Sequence, residues 1–111
     1  MSSLHETAYP RLRSTITEKE LKEYYTPTPE ELSLIESEKK PILRFGFMLN
    51  LKLLQRLGYS VPLASAPPSI IAHVMDRIGI KRPLTLKQLK DYDRSGSRPR
   101  QQQILRDYLG I

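Results

Sequence analysis

The sequence predicts an all-α fold, a compact bundle of five to six short helices ending in a helix-turn-helix-like pair. Three observations predict it. Ser/Thr-x-x-Glu/Gln capping boxes recur ahead of apolar runs, as at Thr17 with Glu20, Thr28 with Glu31 and Thr85 with Gln88. Apolar residues fall at helical spacing through the rest of the chain, and no alternating pattern is long enough for a strand. No internal repeat is present, and 111 residues make a single domain.

Residues 1–16 read as an N-terminal arm and residues 17–111 as the helical domain. Thr17 caps the first helix, with Ile16 and Leu21 as the hydrophobic staple, and Thr26-Pro27 stops it after about Tyr25. Thr28 caps the second, Pro29 suits its first position, and this acidic helix is expected to reach about Lys39. There Glu30 and Glu31 at one end and Lys39 and Lys40 at the other would suit the helix dipole. From Pro41 to Leu57 apolar side chains surround most of a long helix, the predicted centre of the fold, with Gly58 as its left-handed cap. Its exceptions Arg44, Lys52, Gln55 and Arg56 lie within about a third of a turn of one another and are expected to form a solvent-facing strip able to reach phosphate. Tyr59 to Pro68, with its three prolines, is read as a surface connector. A fourth helix, about Pro68 to Ile78, carries Ile70, Ile71, Val74, Met75 and Ile78 on one face and ends at Gly79. Thr85 caps a short fifth helix to about Tyr92, with Leu84 and Leu89 as its staple, and Asp93 to Gly96 form the turn. Ser97 caps the last helix, which is expected to bury Ile104, Leu105, Tyr108 and Leu109 and to end at Gly110.

Charge points to a partner. Through Lys40 eight Glu oppose six basic residues, a balance of −2; from Pro41 onward twelve Lys and Arg oppose four Asp, a balance of +8. A half so charged repels itself unless a polyanion neutralises it, so nucleic acid is the leading expectation. The absence of cysteine excludes thiolate zinc sites, thiol catalysis and a disulfide framework, and makes a reducing cytoplasm the expected setting. The most apolar run, Phe45 to Leu54, is interrupted by Asn50 and Lys52 and is far shorter than the ~20 residues that span a bilayer, and the N-terminus carries no export signal.

Arg98 and Arg100 stand out because they occupy the first turn of the last helix, where cations oppose the dipole and an anion is expected to offset them. The first turn of a recognition helix is also what reaches base edges. Lys81, Arg82, Lys87, Lys90 and Arg94 lie on the approach and suit phosphate contacts, with Arg106 further along. Gln101, Gln102 and Gln103 offer amides able to pair with adenine, provided they face away from Ile104 and Leu105. Tyr92 suits a sugar or phosphate contact, although an aromatic closing a short helix is more often core. Arg44, Lys52 and Arg56 complete the candidate DNA surface. His5 and His73 are too far apart for a metal pair and read as surface residues, and no catalytic constellation, metal set or cofactor motif is visible.

Tyr9-Pro10, Glu20-Leu21, Tyr25 to Leu32, Leu43 with Phe45-Gly-Phe47 and Leu51-Lys52, Gln55 to Tyr59, Pro68, Tyr92 to Arg100 and Ile104 to Gly110 together resemble the N-terminal domain of Tn-three family transposases. The resemblance spans nearly the whole chain. Where many relatives carry a histidine four residues before the position of Ile104, this chain has Arg100. The resemblance implies a piece of a much longer transposase whose helical modules bind the terminal inverted repeats of a transposon, with metal-dependent catalysis far downstream. Double-stranded DNA at the transposon ends would then be the partner. The rival expectation is an interaction or oligomerisation module contacting other transposase domains or protomers, with the acidic second helix as its docking surface. RNA is disfavoured by the scarcity of exposed aromatics for stacking.

Overall fold

The computed structural model describes residues 16–111, so the expected arm lies almost entirely outside the described residues, together with His5. Among the described residues there are six α-helices, one 3₁₀ turn and no strand: α1 Glu18–Tyr24, α2 Pro29–Leu34, α3 Pro41–Leu57, the turn Leu63–Ser65, α4 Pro68–Arg77, α5 Leu86–Arg94 and α6 Ser97–Leu109. All three capping boxes form reciprocally, at the starts of α1, α2 and α5. Each satisfies donors that the first turn of a helix would otherwise leave open.

The long α3 is the core of the molecule, with every residue from Phe45 to Leu54 buried. Gly58 ends it with φ of 80°. Packed around it are Tyr25, Ile35, Val61, Leu63, Ile70, Val74, Leu89, Tyr92 and Leu105. Gly46 allows one of these contacts. A Cβ at that position would lie 2.6 Å from the Tyr92 ring, so α5 reaches α3 only because the side chain is missing.

Several expectations are corrected. The second helix ends at Leu34, not near Lys39, because Ile35 turns into the core and the chain continues in turns. Lys39 and Lys40 therefore stand at the start of α3, where they oppose its dipole. The proline-rich connector is not purely a surface strand. Val61, Leu63 and Ala66 are buried, and the Asp93 carboxylate accepts from Leu63 N at 2.7 Å and Ala64 N at 3.1 Å, tying the 3₁₀ turn to α5. In α6 the expected core face is rotated. Leu105 is buried with Gln101, one turn earlier, whereas Ile104 and Tyr108 are exposed. His73 is half-buried beside Thr26, with Nε2 2.8 Å from the hydroxyl. No described helix is long and apolar enough to cross a membrane.

Candidate nucleic-acid interface

The polar side chains of the α3 strip are engaged by protein groups. Lys52 is only 6% exposed, and its ammonium donates to Glu31 Oε1 at 2.7 Å and to Gln55 Oε1 at 3.1 Å. Gln55 in turn donates to Glu31 Oε2 at 2.7 Å, while Thr28 N donates to Oε1. Burial works against the Glu31 charge, but the hydrogen bonds from Lys52, Thr28 and Gln55 outweigh it and hold the carboxyl below its usual range. Arg44 reaches back to the carbonyls of Ile35 and Glu38, where α2 has ended. Arg56 lies over the Tyr24 ring, 3.8 Å from its centroid. Lys52 is thus removed from any external phosphate, and Arg44 and Arg56 are committed to the acidic half of the chain.

Tyr92 and Gln101 are corrected in the same way. Asn50 Nδ2 donates to the Tyr92 hydroxyl at 2.9 Å, which donates to Gln101 Oε1 at 2.5 Å. Gln101 Nε2 donates to the Leu43 carbonyl at 3.0 Å and to Glu38 Oε2 at 3.3 Å. The Tyr92 hydroxyl and both amide atoms of Gln101 have partners, so the glutamine expected to face DNA is tolerated in the interior. Burial pushes the Tyr92 phenol far above its ordinary range, and it stays neutral. The relay fixes α5 and α6 to α3 and to one another.

The arginines at the start of α6 find anions and acceptors within the chain. Arg100 makes a forked contact to Glu38, Nη1 to Oε2 at 3.1 Å and Nη2 to Oε1 at 3.3 Å. Burial again opposes the Glu38 charge, and Arg100 and Gln101 more than offset it, lowering its pKa. Arg98 donates to Ser60 Oγ at 3.1 Å, as Gln102 does at 2.5 Å. The expected offsetting anion is therefore supplied by the protein itself, at Glu38.

What remains outward has a clear pattern. On α5, Lys87, Lys90 and Arg94 are exposed and fall within about a sixth of a turn, opposite the buried Leu89 and Tyr92. Asp91 beside them pairs with Lys87 at 2.9 Å and Arg94 at 3.3 Å, and the bond from Lys87 keeps its pKa low. On α6 the outer face carries Arg100, Gln103 and Arg106, with Gln103 donating to Asp107 at 3.1 Å. Gln103 is the exposed one of these three glutamines, Gln101 being buried and Gln102 half-buried. The sequence does not single it out, because its orientation follows only once Gln101 is known to point inward. Lys81 and Arg82 are exposed too, but they line a separate groove with Lys39, Lys40 and Arg44. Among the described residues no group of three His, Asp or Glu is placed to hold a metal ion.

Over its whole length, residues 1–111, the chain matches the model of a family described as Domain of unknown function (DUF4158). No curated protein and no solved structure matches it.

Proposed function

We propose that the chain, which belongs to the DUF4158 family, is an N-terminal DNA-binding module of a transposase that holds the terminal inverted repeats of a transposon. In this reading α5, the Ser95-Gly96 turn and α6 act as a helix-turn-helix. The observation that carries it is the exposed stripe of Lys87, Lys90 and Arg94 on the side of α5 away from the core, together with the exposed Arg100, Gln103 and Arg106 of the helix that follows it. Lysine and arginine on α5 supply phosphate contacts that set register. Gln103 and Arg106 of α6 supply the groups that pair with base edges, glutamine with adenine and arginine with guanine. The Tyr92–Gln101 bond supports the reading by holding both helices rigid, so that both can meet one duplex without a large ordering cost.

The test is fluorescence anisotropy on a duplex carrying the terminal repeat and on a scrambled duplex, across a salt series. A specific reader prefers the repeat by ~4 kcal/mol or more. Replacing Lys87, Lys90 and Arg94 together by Ala removes only exposed groups and is expected to lower the log–log salt slope by about 0.9 for each phosphate no longer neutralised. Unchanged slope and affinity in that variant would exclude α5 from the interface.

A further inference from the structure

A groove of about 710 Å³ opens between the start of α3, the segment following α4 and the start of α5. Its size lies within the ~300–1,000 Å³ of sites that enclose a ligand. Lys39, Lys40, Arg44, Lys81 and Arg82 line it, and no acid is found among its described lining residues. Its walls include Ile42, Ile80 and Leu84, apolar side chains left half-buried by the fold. The groove is thus cationic at the rim and apolar inside. None of the outward cations of α5 takes part in it.

We propose that this groove docks a short acidic peptide segment bearing apolar side chains, from a protein partner. Charge complementarity selects the acid. Four of the five cations are exposed, and among the described residues no side-chain hydrogen bond or ion pair engages Lys39, Lys40, Lys81 or Arg82. Two of them, Lys39 and Lys40, sit against the dipole of α3, whose first turn has no side-chain cap and no acid. A carboxylate there completes a helix start that the chain leaves open.

The apolar walls distinguish a peptide from duplex DNA. A phosphate pressed against Ile42, Ile80 and Leu84 loses hydration and gains no donor there. An acidic peptide meets both requirements, with carboxylates at the rim and an aliphatic side chain on the walls. The site is independent of the DNA reading, because it uses different residues and a different ligand chemistry.

The experiment uses the 111-residue chain and a fluorescein-labelled synthetic peptide carrying two leucines among glutamates. Two control peptides replace the glutamates by glutamine or the leucines by glutamate. The expected result is binding of the first peptide, weakened about tenfold or more by either change and by Lys81→Glu with Arg82→Glu. Amide shifts on binding should centre on Gly79, Ile80 and Gln88. Because Lys81 and Arg82 are exposed, the double variant is expected to keep the wild-type melting temperature. If the variant does not fold, the shift map decides. Shifts outside the groove, equal affinity for the all-glutamate peptide, absence of binding, or displacement of the peptide by a duplex at the duplex's own affinity would each overturn the proposal.

Discussion

At Gly46 the missing side chain is the contact. The Tyr92 ring occupies the space where a Cβ would stand, and it is held there by Asn50 on one side and Gln101 on the other. In an ordinary helix interior Gly→Ala stabilises by ~1 kcal/mol. Here overpacking costs ~1–3 kcal/mol, and the ring cannot retreat without breaking its hydrogen bonds. Overpacking wins, so Gly46→Ala is expected to lower stability by up to about 2 kcal/mol, read as a lower urea midpoint. An unchanged or higher midpoint would mean that the ring yields freely. Tyr92→Phe keeps the ring and removes its hydroxyl, leaving a donor on Asn50 and an acceptor on Gln101 unmatched in the interior, at a cost of ~1–3 kcal/mol. At this scale the sequence was partly legible. The sequence weights Tyr92 toward the core because an aromatic closing a short helix usually is, whereas it leaves Gln101 among the base contacts because amides at successive helix positions do not reveal which one points inward.

At the scale of elements, α3 can be buried on nearly every side because its buried polar residues are matched by its neighbours, Lys52 by Glu31 of α2 and Asn50 by Tyr92 of α5. Glu31 does two tasks, closing the capping box of its own helix and neutralising Lys52. Its folded pKa is depressed, so the stability it contributes is present above ~pH 4.3, the ordinary glutamate value, and is lost as pH falls through the lower folded value. Glu31→Gln is therefore expected to lower the urea midpoint at pH 7 while flattening its decline toward pH 3. An acid limb as steep as in wild type would show that Glu31 does not govern it. A buried charge stripped of its partner costs ~3–5 kcal/mol, so Lys52 should also move toward water in this variant. The three boxed helix starts are legible because caps act within four residues, and all three boxes stand where the sequence puts them, whereas Ser97 does not cap α6 but opens it, after Gly96 and with no side-chain cap. The end of α2 is not legible, because it depends on Ile35 entering the core and Arg44 collecting the carbonyls of Ile35 and Glu38 from another helix. The burial of Lys52 was hidden for the same reason, its acid lying 21 residues away.

At the scale of the whole molecule, the acidic and basic halves are stitched to each other, most directly where Glu38 meets Arg100 across 62 residues of sequence. This pair is poised between stability and binding. Only 11% of the Glu38 side chain is accessible, whereas 48% of the Arg100 side chain is, so the guanidinium lies at the surface while its anion is covered. Glu38→Gln keeps the shape and removes the charge. The Glu38 carboxyl is stabilised in the folded state, so its loss is expected to lower the melting temperature. The same change raises the positive field around α6 and frees Arg100 for a phosphate. Affinity for duplex DNA should therefore rise, with a salt slope steeper by about 0.9, the increment of one further phosphate. Arg100→Ala should leave that increment unobtainable, so the double variant with Glu38→Gln binds with the shallower slope. A Glu38→Gln protein that is less stable but binds DNA no more tightly would place Arg100 outside the interface and leave the α5 stripe to act alone.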